Sequence, residues 1–221
     1  MATDWFPLWL SLRVAAVATL LSLAAGLWAG WWLAKPPFRG RTLLHSAVNL
    51  PLVLPPTVLG YYLLVLLGQN SPIGRFYEWI FGAPLLFTWQ AAVVAAFLYS
   101  APLVAQSVRL ALESLDPHWE RAAQSLGATG WSVFAHITLP LTWRPVLAAA
   151  VLAFARSLGE FGVTLMIAGN LPGRTQTLAV AVYDATERGQ GAAARMLVLV
   201  ISAAALAALW AAGRLSARQA V

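Results

Sequence analysis

Arg156 and Glu160 stand four residues apart in an apolar stretch, Pro145–Ala168, that carries no other charge. On insertion scales a charge at the centre of a membrane helix costs roughly 2.5 to 3.5 kcal/mol unless it is paired or hydrated, so neither side chain should face lipid. Four-residue spacing places both on one helix face, with arginine before glutamate the weaker order for an intrahelical pair. Two roles fit: a structural ion pair holding helices together, or an arginine on the path of an anion with the glutamate restraining it. Other chemistry is poorly supplied. The sole lysine, Lys35, lies between Ala34 and Pro36, so the chain has no phosphate-cradling loop ending in Gly-Lys-Ser/Thr and is not expected to hydrolyse ATP itself. His45, His118 and His136 fall in or beside polar connections, without the spacing of a metal site or a buried nucleophile alongside. Neither a catalytic residue nor a metal site is expected, and with no cysteine there is no disulfide or thiolate site.

The elements that must position these residues follow from composition. Sixty per cent of the 221 residues are hydrophobic and 10% are charged, where a soluble domain carries roughly a quarter charged residues. The apolar residues gather in five runs near the ~20 residues that cross a bilayer: Val14–Ala34, Ser46–Leu67, Leu85–Gln106, Pro145–Ala168 and Met196–Gly213. Lipid satisfies no backbone hydrogen bonds and the runs do not alternate as barrel strands do, so all five are expected to be helical. Val14–Ala34 is too long for a cleaved signal and ends on Trp31, Trp32 and Lys35, a set that anchors at an interface.

A net charge of +6 and a pI near 10.5 could suggest nucleic acid, but the arginines are scattered among short connections rather than clustered on one face. Basic residues favour the cytoplasmic side of a membrane protein. Eight (Lys35, Arg39, Arg41, Arg109, Arg121, Arg144, Arg214, Arg218) fall on one side and five (Arg13, Arg75, Arg174, Arg188, Arg195) on the other. The amino terminus is therefore expected outside and the carboxyl terminus in the cytoplasm. Within the second run, Pro51, Pro55 and Pro56 must kink or break the helix. Ser22, Gly26 and Gly30 in the first run, and Ala155 and Gly159 in the fourth, line small residues along a face for close helix approach. Gly169–Arg195 holds only a six-residue apolar run, Leu178–Tyr183, and is expected outside as a short helix at or dipping into the interface.

The connection between the third and fourth spans, residues 107–144, is long, polar and patterned as two short cytoplasmic helices. Asp116-Pro117 supplies an N-cap and a first-turn proline, and Gly127 supplies the stop. A second piece is expected over Gly130–Ile137, closed by Leu139-Pro140. The run Glu120-Arg121-Ala122-Ala123-Gln124-Ser125-Leu126-Gly127, followed by Ile137-Thr138-Leu139-Pro140, resembles the EAA loop of ABC importer permeases. In that pattern the alanines, Gly127, Ile137, Leu139 and Pro140 are in register, while Arg121 stands where the family has glutamate and the acid falls one residue earlier, at Glu120. Asn49–Tyr62 and Phe154–Gly162 are similar to the molybdate permease branch of the same family.

That resemblance implies a single permease domain over 1–221 with a type I importer architecture in a bacterial inner membrane. It implies that Glu120, Arg121, Ala122, Ala123, Gly127, Ile137, Leu139 and Pro140 couple to an ATPase. It implies two separate ATP-binding subunits that bind the ATP, an extracytoplasmic molybdate-binding protein, and no nucleic acid. Five helices enclose a path poorly, so a homodimer is expected in the bilayer.

Overall fold

The computed structural model describes residues 5–35 and 39–217. Among them there is no β-strand. The helices are α1 (Phe6–Ala34), α2 (Arg41–Val53), α3 (Pro56–Leu67), α4 (Pro72–Phe81), α5 (Trp89–Glu113), α6 (Pro117–Ser125), α7 (Gly130–Val133), α8 (Leu139–Leu158), α9 (Gly162–Ile167), α10 (Leu178–Glu187) and α11 (Gly191–Ala217), with a π-helical turn at Phe134–Thr138. Among the described residues four helical stretches are long and apolar enough to cross a membrane: Phe6–Ala34, Trp89–Glu113, Phe134–Leu158 and Gly191–Arg214. The pair α2 and α3 qualifies as a fifth, bent by 111°.

Several elements depart from the expectations. The first span starts eight residues early, at Phe6, because Pro7 suits a helix's first turn and Arg13 can stay inside the helix by lying 3.8 Å from the ring centre of Trp89. The second is two helices, broken at Leu54-Pro55: Leu54 and Pro55 are both extended, as a residue before proline prefers. Pro140 does not end a helix. The chain stays helical from Gly130 to Leu158, and the Leu139 N–H reaches back five residues to the Phe134 carbonyl. A π-turn just before Pro140 is a natural accommodation, since proline offers no N–H and crowds the carbonyl four residues back. The fourth span accordingly ends at Leu158 instead of Ala168, and Gly159 is its cap, exposed, instead of part of a packing face.

Helix association in lipid rests on close packing rather than on hydrophobic burial, and the spine of the molecule shows this. α1 packs along α5. A Cβ built on Gly26 would lie 2.6 Å from Val104 Cγ1, and one on Gly30 would lie 2.7 Å from the Ala105 carbonyl oxygen. Ser22 and Ser100 hydrogen-bond across the same contact at 2.7 Å. α8 lies against α5 and α1, α11 against α8, and α3 against α9.

Contacts at the helix ends sort the connections into two sides. Arg41, at the start of α2, pairs with Glu113 at the end of α5 (2.9 Å) and donates to the Leu33 carbonyl near the end of α1 (3.0 Å). At the opposite end of both helices, Arg13 lies over Trp89, and Ser11 Oγ accepts the N–H of Leu178 at 2.7 Å. α5 has 25 residues, about 37 Å. The stretch 41–88 therefore leaves one side and arrives at the other, and the bent pair counts as a crossing. α10 is more enclosed than an interfacial helix, with Leu178, Val180, Ala181 and Ala185 buried.

Candidate functional site

Two regions hold the residues singled out by the sequence. In the first, the polar connection, Asp116 Oδ1 accepts the His118 N–H at 2.8 Å and Pro117 opens α6. The helix is closed by Gly127 at φ +86°. The Gly127 N–H bonds to the Gln124 carbonyl (3.0 Å) and the Ala128 N–H to the Ala123 carbonyl (3.1 Å), the paired arrangement of a Schellman stop. Only a residue that accepts positive φ suits this turn. Thr129 then starts the next piece, its Oγ1 accepting the Ser132 N–H at 3.3 Å.

Ala122 and Ala123 are half-buried on α6, Ile137 is half-buried on the π-turn, and Leu139 and Pro140 are exposed at the start of α8. Glu120 and Arg121 lie on α6 with side chains outside the described set. Sequence reasoning passed over Leu126. At 90% exposure it is the most exposed large apolar residue among those described, set at the tip between α6 and Gly127. Its signal was available: an apolar residue directly before a helix-stopping glycine in a polar loop.

The second region is the junction of α8 and α9. Arg156 is in the last turn of α8, whereas Glu160 lies beyond the helix, at the break and not in the middle of a span. The chain's turn at Gly159 brings the carboxylate back: Arg156 Nη1 donates to Glu160 Oε2 at 3.0 Å. The other oxygen, Oε1, accepts the Val163 N–H at 3.1 Å. Glu160 thus satisfies an orphan donor at the start of α9 as well as the arginine. The partners are unequal: Glu160 is 5% exposed and the Arg156 side chain 37%.

The Arg156 guanidinium sits 4.6 Å from the ring centre of Tyr99 on α5. The hydroxyls of Tyr99 and Ser157 are buried without a hydrogen-bond partner. The junction therefore presents a half-open cation with one donor engaged, stacked on a tyrosine whose hydroxyl has no hydrogen-bond partner. Behind it α9 presses on the α2–α3 bend, where a Cβ on Gly162 would lie 2.7 Å from Pro56 Cβ.

Among the described residues no group of three His, Cys, Asp or Glu is placed to hold a metal ion. On α10, Asp184 pairs with Arg188 (3.0 Å) and accepts from Asn170 (2.9 Å), while Gln176 donates to Asn170 Oδ1 (2.9 Å). These bonds tie down the connection 169–177.

Residues 22–221 match the family described as binding-protein-dependent transport system inner membrane component. The chain is 46% identical over 209 residues to the molybdenum transport system permease protein ModB of Escherichia coli (strain K12), covering 93% of this chain and 91% of that protein. It is 45% identical over 201 residues to the putative molybdenum transport system permease protein YvgM of Bacillus subtilis (strain 168), covering 90% and 88%. Against the sulfate transport system permease protein CysT of Escherichia coli (strain K12) the identity is 36% over 210 residues, 94% of this chain and 75% of that one. In fold, a chain of the MetNI methionine ABC transporter superposes with a TM-score of 0.76 at 19% identity, covering 98% of this chain and 99% of that chain.

Proposed function

Because the chain belongs to the family of binding-protein-dependent transport system inner membrane components, we propose that it forms the translocation path of an ATP-driven molybdate importer. It is a multi-pass membrane permease, and its family works with an ATPase and a substrate-binding protein. The cargo assignment is carried by one observation: 45–46% identity across some nine-tenths of two molybdenum permeases, against 36% to a sulfate permease. Both cargoes are tetrahedral dianions, so composition does not separate them.

In this reading the connection 107–144 faces the cytoplasm and docks on the ATPase through α6 and the start of α8, using Glu120, Arg121, Ala122, Ala123, Gly127, Ile137, Leu139 and Pro140. Leu126 joins that surface, since an apolar side chain so exposed on a water-facing loop suits a partner's pocket. The amino terminus lies outside, in keeping with the eight-to-five basic bias. Two copies assemble around the path, and the faces of α2 and α11 left open in one chain are where a second copy or lipid would pack. Arg156, held by Glu160, meets the anion, with the Tyr99 and Ser157 hydroxyls as further donors, and a separate extracytoplasmic protein delivers the molybdate.

Expression in a strain lacking its own molybdenum permease tests the cargo. Cellular molybdenum, measured by mass spectrometry at limiting supply, should be restored together with the cognate ATPase and binding protein. Restored sulfate uptake without molybdenum would overturn it.

A further inference from the structure

At the ends of α1 and α5 nearest the coupling connection, two openings run into one another. A groove of about 470 Å³ and a cavity of about 270 Å³ share Trp31, Leu112, Gly130 and Phe134 in their walls. The groove continues up the membrane side past Leu27, Val108 and Val146. Its one deep hydroxyl, on Thr142, is spent on the Thr138 carbonyl at 2.7 Å, so the groove asks nothing polar of an occupant. The cavity ends on Lys35 and Gln124. The Lys35 ammonium is stacked 3.5 Å and 4.1 Å from the ring centres of Trp31 and Trp32. Arg41 and Arg109 share the Glu113 carboxylate, each at 2.9 Å, whereas Lys35 makes no ion pair among the described residues.

We propose that this groove holds one anionic phospholipid, with one of its two acyl chains between α1, α5 and α8 and its phosphate at Lys35. The volume falls within the ~300–1,000 Å³ of apolar ligand sites. Lys35 and Leu27 are eight residues apart, about 12 Å along the helix, so the groove reaches from the interface into the hydrocarbon. An extended protein segment entering that far would leave backbone groups unsatisfied, whereas an acyl chain has none. An unpaired ammonium at an interface attracts anionic headgroups, and Trp28 and Trp31, 61% and 42% exposed, are the side chains of a headgroup belt. Because Gln124 is on α6 and Gly130 on α7, the lipid would also wedge the coupling connection against α1. This goes beyond the transport reading and rests on it only for calling this side cytoplasmic.

The full chain, purified in neutral detergent and exposed to equal phosphatidylglycerol and phosphatidylcholine, is read by native mass spectrometry. Wild type should retain one phospholipid with about a fivefold preference for the glycerol headgroup, the scale of one interfacial lysine. Lys35→Gln should keep a lipid and lose the preference. A Cβ on Gly130 meets nothing within 4 Å, so Gly130→Leu can fill the opening without clash and should retain none. Arg75→Gln, which removes a charge from the other side, should match wild type, and monodisperse elution of each variant shows that it is folded. The proposal is overturned if wild type retains no lipid, if Lys35→Gln keeps the preference, if Gly130→Leu retains as much as wild type, or if inorganic phosphate displaces the lipid.

Discussion

Arg156→Gln should harm the protein more than Glu160→Gln, although the two side chains form a single ion pair. A glutamine at 160 keeps the shape of the glutamate and can still accept the Val163 N–H, and Arg156 is left with its contact to Tyr99 and an exposure of 37%. An arginine that open recovers much of its hydration, so the loss should stay near the ~0–1 kcal/mol of a surface pair. A glutamine at 156 instead strands a carboxylate that is 5% exposed, with Oε2 deprived of its partner. Fully buried pairs broken in this way lose about 3–5 kcal/mol, and the partial exposure of Arg156 brings the figure here to about 2–3 kcal/mol. The double variant has no stranded charge and should resemble Glu160→Gln. Thermal stability in detergent and membrane abundance give the ranking, and molybdate uptake separates the roles. If the double restores abundance but not uptake, Arg156 acts on the anion path; if both return, the pair is structural. Equal losses for the two singles, or strictly additive losses in the double, would refute the asymmetry drawn from this geometry.

Three further outcomes can be checked independently. Gly127→Val places a β-branched residue at φ +86°, which should cost at least the ~1–2 kcal/mol of a left-handed residue and reduce both uptake and ATPase copurification; unchanged copurification would count against the docking role of α6. Gly30→Ala should lower thermal stability by about 1–3 kcal/mol, because its methyl meets the Ala105 carbonyl, which cannot step aside, whereas Gly213→Ala, inside α11 with nothing within 4 Å, should leave stability unchanged or raise it by up to about 1 kcal/mol. Reporter fusions after Lys35, Gly68, Gly127 and Gly189 should alternate inside, outside, inside, outside; an external signal at Gly127 would reverse the orientation.

The crossings were readable in the sequence where apolar length alone defines them, as in α1, α5 and α11. Length did not show where a helix stops. The apolar run Pro145–Ala168 continues past Leu158, but the helix does not, and nothing in hydropathy marks that Glu160 must turn back to meet both Arg156 and the start of α9. Spacing allowed a contact between Arg156 and Glu160 but did not show that they would be unequally buried, because it placed both mid-helix. Three prolines announced a break between α2 and α3, while its 111° angle accompanies a contact distant in sequence, Gly162 on Pro56. The connection 107–144 was the most readable part, since the Asp116 cap, the fixed φ of Pro117 and the Gly127 turn are all local in sequence. Pro140 was misread for the opposite reason: proline ends an α-helix by removing one bond, and the preceding π-turn had already shifted the bonding pattern.

Carriage of molybdate by this chain on energy from a separate ATPase is read directly from uptake of labelled molybdate into proteoliposomes containing the permease, its cognate ATPase and its binding protein. Accumulation should require ATP on the ATPase side and the loaded binding protein on the other, be competed by unlabelled molybdate far better than by sulfate, and fall when Gly127 is replaced by valine. Uptake that proceeds without the ATPase, or sulfate accumulation with molybdate excluded, would contradict it.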